Sequence, residues 1–499
     1  MADIFLYFIA LVILYSSAKH FLHRIQNLPP SPFPCLPVIG HLYLLKKPLF
    51  RTLAKIADRN GSIVFLQFGC RPVVVVSSPS AAEECLSKND IIFASRPRLM
   101  IGKHIGNNHR SLSWSPYGDL WRNLRRIASI EILSTSRLQM LSNIRVDEVR
   151  SLMRKLLDFQ DKPVELWTVI FELTLNVITR MIAGKRFYGE NVADVEEARR
   201  FQASLLEVQK LNAATNYGDF LPWLKSKKLE QRMIECQRTR EGLFLALIEQ
   251  SRRKMKSDNT TERKNTMIEV LLSLQESEPE YYTDKMIANL VLVLLTAGTE
   301  TTSNTLEWAL SLLLNHPEVM QKARKEIEKV VGLDRLIEES DLPKLPYLRG
   351  IISETMRMYP PVPLLLPHES TEDCTVGGYR IPAETLLFIN VWAIQNDPKV
   401  WEDPRKFKPE RFEGVEGTGR DGFKLMPFGS GRRACPGDGL ALRMVGFTLG
   451  SLIQCFEWEK IEEETVDITE GIGLTMPKAV PLQAKCRPWP AMIKLLSQL

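Results

Sequence analysis

The chain has 499 residues, 44% of them apolar and 25% charged, enough for one large core or two to three ordinary domains. Its 65 basic and 59 acidic residues leave a net charge of +6. That excess is small for the length, and no Lys/Arg block is interleaved with aromatics, which argues against nucleic acid and for an acidic protein partner or anionic lipid. The cysteines, Cys35, Cys70, Cys85, Cys236, Cys374, Cys435, Cys455 and Cys486, are scattered without a C-x-x-C pair or metal-ligand spacing. They read as reduced thiols rather than disulfides or a structural zinc site.

The first element is "IFLYFIALVILYSSA", Ile4 to Ala18, apolar and uncharged. Asp3 precedes it, the wrong sign for a cleaved secretory signal. Lys19, His20, His23 and Arg24 follow it and would hold the next domain on the cytosolic side. Residues 1–27 are therefore expected to be an N-terminal membrane anchor, and the sequons at Asn60 and Asn259 to be unglycosylated. Residues 28–42 carry Pro29, Pro30, Pro32, Pro34 and Pro37. With fixed φ and missing amide donors they form a stiff extended hinge.

Residues 43–499 read as one mainly α domain with a small β region. "SIVFLQFG" and "PVVVVSS", Ser62–Gly69 and Pro72–Ser78, predict a hairpin, and Thr385–Ile394 another strand. Helical patterns cover 118–158, 163–186, 192–213, 227–256, 263–275, 283–315, 317–331, 346–358 and 437–455.

The pattern over 283–315 predicts the longest helix of the body, about 33 residues or roughly 50 Å. Thr283 and Asp284 suit its cap, and His316-Pro317 ends it. It is apolar nearly all round, yet Glu300 and Glu307 argue against a second membrane span. In its middle "AGTETT", Ala297 to Thr302, makes a polar notch, read either as functional or as a kink held by threonine bonds to backbone carbonyls.

Three further patterns follow in order. "ETMR" places Glu354 and Arg357 on one helix face. "PERF" supplies Arg411, and Phe428, Gly431, Arg433, Cys435 and Gly437 form F-x-x-G-x-R-x-C-x-G. The first two are weak alone; the cysteine loop is specific, and the four in register more so.

On these motifs the chain resembles the cytochrome P-450 family, the haem-thiolate monooxygenases, over essentially its whole length. The resemblance implies a triangular, mostly α body and haem b, iron protoporphyrin IX. It implies that Cys435 is the axial thiolate and that Phe428, Gly429, Gly437 and Ala297 face the haem. Trp121 and Arg125 of "WRNLR", Arg433 and His368 match propionate-binding positions. Glu354, Arg357 and Arg411 match a structural ion-pair network, and Glu300 with Thr301 the catalytic acid–alcohol pair. The glycines, Gly429, Gly431 and Gly437, are expected to let backbone approach the porphyrin and turn amides toward sulfur.

No G-x-G-x-x-G or P-loop occurs, so electrons come from outside. The resemblance implies NADPH acting through a membrane-bound reductase, with Arg122 and Arg126 either facing it or simply solvated. "FGSGRRACPG" and the proline hinge are similar to plant microsomal members, which implies the endoplasmic reticulum membrane. "GDLWRNLRR" and "PLLLPHES" resemble the plant family holding isoflavonoid hydroxylases, lignan methylenedioxy-bridge enzymes and xanthone hydroxylases. A small lipophilic substrate and dioxygen are implied, with hydroxylation or bridge formation as the outcome. A terpenoid hydroxylase, a reductase-independent isomerase or dehydratase, and a haem carrier are the alternatives. Pocket segments at 99–116, 205–221, 294–302, 362–366 and 472–477 include Leu294, Gly298, Val362, Leu366 and Leu474. Phe220, Leu221, Trp223 and Leu224 suggest a second, shallow membrane contact.

Overall fold

The computed structural model describes residues 2–159, 162–189, 192, 195–214, 216–257, 266–414, 422–461 and 463–499. It opens with helix α1, Ala2–Ile25, about 36 Å long at 1.5 Å per residue. Ile4, Leu6, Tyr7, Leu11 and Leu14 expose their side chains along it. Its second half meets the body: buried Ser16 donates to the Cys35 carbonyl at 2.8 Å, and the His23 ring stands edge-on to Phe65.

The proline-rich stretch docks rather than standing free. The Phe65 amide donates to the Pro30 carbonyl at 2.9 Å, and the His41 amide to the Gln67 carbonyl at 2.6 Å. Proline stiffens the segment while its carbonyls remain available, so it lies along strand β1, Ile63–Phe68, as an extra edge. Asn60 ends a helix and donates to the Ile56 carbonyl; Asn259 lies outside the described residues.

Strand β1 pairs antiparallel with β2, Arg71–Val76, as the two β-branched runs predict. The expected helix over 118–158 is broken into four. Helix α2 spans Asp119–Arg126, a π-helical turn follows at Ile127–Ile132, and helices resume at Thr135–Met140 and Ser142–Leu157. Periodicity runs through all four. The backbone departs at Ser134, which is extended at φ −63°, ψ 152°, in a Ser-Thr-Ser run that competes for local backbone bonds.

Helices α3, Leu166–Ala183, and α5, Lys227–Ser257, flank helix α6, Asp284–Asn315, and α4, Val195–Ala213, packs on α5. Thr283 caps α6 by accepting from the Met286 amide. Helices α3 and α6 are long and apolar enough to cross a membrane. Their most apolar windows are 72% and 61% buried inside the body, so both are core helices. Helix α7, Pro346–Met358, has the expected bounds.

Strand β3, His368–Glu369, and β4, Leu386–Ile389, complete a four-stranded sheet in the order β1-β2-β4-β3, with β2 and β4 parallel. The expected strand over 385–394 stops at Ile389. The Asn390 side chain accepts from the Ala393 amide at 3.0 Å and starts a short helix over Val391–Gln395 instead. Helix α8, Asp438–Cys455, follows the cysteine loop. Of the four apolar residues expected at a second membrane contact, Phe220 packs on Phe68 and Leu221 is buried; Trp223 and Leu224 are exposed, as is Tyr217.

Candidate functional site

The cysteine loop leads into the N-terminus of α8. The Cys435 amide donates to the Phe428 carbonyl at 2.8 Å, and the Gly437 amide donates to Cys435 Sγ at 3.3 Å. An amide aimed at the sulfur draws charge from a thiolate and favours it over the thiol. Gly431 has a different role from the one expected. Its φ is +68°, and a Cβ there would lie 2.3 Å from the Leu86 carbonyl oxygen. Asp90, on the same turn, accepts from the Arg432 amide and from its Nη1 at 2.7 Å. Gly431 thus lets the loop press against the 84–90 segment rather than against a cofactor.

Above the loop is a cavity of about 270 Å³. Cys435, Phe428, Gly429 and Gly437 line one wall, and Leu294, Ala297, Gly298 and Thr301 of α6 line another. Gly298 permits close packing of α6 on α3, since a Cβ there would sit 3.0 Å from Ile178 Cδ1. Helix α6 is unbroken at the notch. Thr299 and Thr301 donate to the carbonyls of Leu295 and Ala297, as the back-bonding alternative holds, while Thr301 also faces the cavity.

Three guanidinium groups converge on one side of this cavity: Arg96, Arg125 and Arg433. None forms an ion pair with a described carboxylate; their partners are neutral carbonyls. Arg96 donates to Leu366 and Pro367, Arg433 to Ala94 and Ser115, and Arg125 to Ala434. Burial pushes Arg96 down to about 9. Burial, with Arg96 and Arg125 close by, pushes Arg433 down to about 8. His368 Nδ1 donates to the Phe93 carbonyl at 2.7 Å, and burial beside Arg96 holds its pKa well below the ordinary histidine value. Trp121 donates to the Leu112 carbonyl at 3.2 Å, its ring 4.2 Å from the Arg433 guanidinium carbon. Several buried cations without a counter-ion are costly. The arrangement fits a ligand with two carboxylates, which would raise these pKa values and let His368 donate from Nε2. Arg96 escaped sequence reasoning because an arginine in "FASRPR" carries no local mark of its burial.

Behind the loop, Arg357 donates to both Glu354 oxygens at 2.6 and 2.9 Å, and to the carbonyls of Gln395 and Pro404. Arg411 donates to Glu354 at 3.2 Å, as does the Lys408 amide at 3.0 Å. The three expected residues meet, with Glu354 and Arg357 fully buried.

A second cavity, about 530 Å³, adjoins the first; Ala297, Thr301, Val362 and Leu366 line both. Leu474 and Glu300 line only the second. Glu300 accepts from Thr475 Oγ1, and burial raises its pKa while bonds from Thr475 and Gln209 oppose the rise. Glu300 and Thr301 therefore stand side by side, the hydroxyl at the junction and the carboxyl in the larger space. The other expected pocket segments also contribute, among them Ile105, Val208 and Ile472. Arg122 and Arg126 are exposed, Arg122 bonded to Asp119 and Arg126 to Asn123.

A helical body with a cysteine loop facing a long helix across an apolar cavity defines the class of haem-dependent monooxygenases. The sequence model described as Cytochrome P450 matches residues 29–482. The chain is 51% identical to "Cytochrome P450 81Q32" of Catharanthus roseus over 98% of each chain. It is 50% identical to isoflavone 3'-hydroxylase of Medicago truncatula over 94% of each, and 48% identical to (+)-piperitol/(+)-sesamin synthase of Sesamum radiatum over 95% of this chain and 93% of that one. A solved zebra fish cytochrome P450 described with progesterone superposes with a TM-score of 0.77 at 25% identity, covering 89% of this chain and all of that one. The chain belongs to the cytochrome P450 family. It is a monooxygenase similar to plant members, and the family implies a haem cofactor.

Proposed function

We propose that this chain inserts one oxygen atom from dioxygen into a small lipophilic plant metabolite, a phenolic of the isoflavonoid, lignan or xanthone kind, with Cys435 as the thiolate that would hold the haem iron. The observation that carries this reading is the convergence of Arg96, Arg125 and Arg433, without carboxylate partners, on the cavity that Cys435 lines. Those cations with Trp121 and His368 would hold the propionates. When bound, the haem supplies oxygen activation, and thiolate ligation favours O–O cleavage. Thr301 holds a hydroxyl at the junction of the cavities, and Glu300 beside it relays protons from the larger one. The relatives named isoflavone 3'-hydroxylase and (+)-piperitol/(+)-sesamin synthase support hydroxylation or methylenedioxy-bridge formation as the outcome.

Electrons reach this chain from NADPH through a membrane-bound reductase, with exposed Arg122 and Arg126 on the docking side. Helix α1 anchors the chain in the endoplasmic reticulum membrane as residues 1–27, residues 28–42 form the hinge, and residues 43–499 stand on the cytosolic side. The exposed apolar side chains of α1 support this reading.

The test is the reduced carbon monoxide difference spectrum of carbonate-washed microsomes carrying the chain. A strongly red-shifted Soret band is expected in the pellet, and is expected to disappear in Cys435→His. A band at the imidazole-haem position in the parent chain would overturn the ligand assignment, and signal released by the wash would overturn the anchor.

A further inference from the structure

The larger cavity contains a cation that the mechanism does not use. Arg240, on α5, lines it and is 3% exposed. Its Nη2 donates to Thr296 Oγ1 at 2.9 Å, and Thr296 in turn donates to the Leu292 carbonyl at 2.8 Å. That chain of bonds fixes the guanidinium against α6, one turn before Glu300. No described carboxylate forms an ion pair with it. Glu241, the next residue, faces Lys285 at 3.9 Å, and Glu300 is bonded to Thr475 and Gln209.

Donors around Arg240 are also unsatisfied. Its Nη1 donates to Gln237 Oε1 at 3.5 Å, but its own Nε has no hydrogen-bond partner among the described residues, and neither has Nε2 of buried Gln237, one turn away on α5. Ser111 Oγ, on the same cavity, has none either. A buried guanidinium gives up its hydration at a cost unless acceptors replace water. Burial already pushes Arg240 down to about 10. Pinning α5 to α6 through Thr296 would need only one neutral donor, and a serine or glutamine there would suffice without that cost.

We infer that Arg240 is a specificity-determining residue that receives an acceptor oxygen, a carbonyl or an anionic oxygen, on an otherwise apolar substrate. The inference rests on the reading of these cavities as the substrate chamber. The apolar walls, Val293, Val362, Leu366 and Leu474 among them, would take the rest of the molecule. Holding the oxygen at Arg240 would orient the opposite end of the substrate toward the Thr301 junction, and so select the carbon that is oxidised. A site with a buried donor discriminates strongly against analogues that leave it unpaired.

The test uses the full-length haem-loaded chain and three probes of one shape: flavan, flavone and flavone carboxylic acid. Binding is read from the Soret shift of the ferric protein. The parent chain is expected to bind flavone or the carboxylic acid at least about tenfold more tightly than flavan. Preference for the acid over flavone identifies an anionic ligand, and equal preference a carbonyl. Arg240→Met is expected to bring the three probes within about twofold of each other, and Arg240→Lys to restore part of the preference. Equal binding of all three by the parent chain, or an undiminished preference in Arg240→Met, overturns the inference. The parent measurement stands even where the variant does not fold. A normal carbon monoxide spectrum accompanied by no preference refutes this inference alone, whereas an imidazole-type spectrum refutes the reading beneath it.

Discussion

The side of the molecule behind the cysteine loop and the distal chamber beyond α6 are held together on different terms. Behind the loop, Glu354 accepts from Arg357, Arg411 and the Lys408 amide, and Arg357 also donates to the backbone carbonyls of Gln395 and Pro404. Around the chamber, Arg240 and Ser111 line the wall with Arg240 Nε and Ser111 Oγ buried and without a described partner, and Gln237 Nε2, behind the wall on α5, has none either. A satisfied network makes one structure rigid, while a buried cation without a counter-ion beside a cavity leaves charge that a ligand can compensate. On the readings proposed above, the contrast separates residues that hold the fold together from residues that would contact a substrate.

The largest expected effect breaks the first region. Glu354→Ala leaves Arg357 buried without its counter-ion, a loss of about 3–5 kcal/mol. Expression of this variant is expected to yield little haem-loaded protein, with the carbon monoxide band reduced in proportion to folded chain. A variant that keeps the parental thermal midpoint and haem content would erase the distinction.

Thr301→Ala tests the junction from the other side. Haem content and thermal midpoint are expected to stay at the parental level. Hydrogen peroxide released per NADPH consumed is expected to rise several-fold at the expense of product, since general acid–base groups contribute about a hundredfold or more where they act. Unchanged coupling would remove Thr301 from the chemistry.

The smallest effect sharpens the comparison inside α6 itself. Glu307, two turns beyond Glu300, is buried, accepts from the Leu482 amide at 2.8 Å, and is pushed by burial up to about 7 from 4.5. The native state therefore holds this proton more tightly than the unfolded chain. Stability fully present below about pH 4.5 is lost as pH rises through about 7, by at most about 3 kcal/mol. Glu307→Gln keeps an acceptor for Leu482 and has no proton to lose. Its thermal midpoint is expected to fall less than the parent's between about pH 5 and pH 8. Parallel slopes would show that Glu307 is not titrating in that range.

The comparison also marks what could be read without coordinates. The four motifs around the cysteine have fixed spacing, so Cys435, Glu354, Arg357 and Arg433 were legible, as were helices such as 317–331 whose opening proline, periodicity and terminal glycine agree. The break at Ser134 was not legible, because an apolar period continues through a backbone that does not. The helix at Val391 was hidden in a strand-like run by one capping asparagine. Arg96 and Arg240 differ from solvated arginines only in what the fold places around them, and no local pattern carries that information. Gly431 was visible as a glycine, but its neighbour at Leu86 is a tertiary fact.

The parallel pairing of β2 with β4 joins Val73–Val76 to Leu386–Ile389, more than three hundred positions along the chain. During synthesis at about 5–20 residues per second, the finished hairpin of β1 and β2 waits roughly a quarter of a minute to a minute for that partner. Through that interval β2 presents an open row of backbone donors and acceptors, the kind of edge on which strands of other chains collect. The docked proline-rich stretch runs along β1 on the hairpin's opposite edge. Cys435 lies further along the chain than Ile389, so every strand of this sheet is synthesised before the cysteine loop.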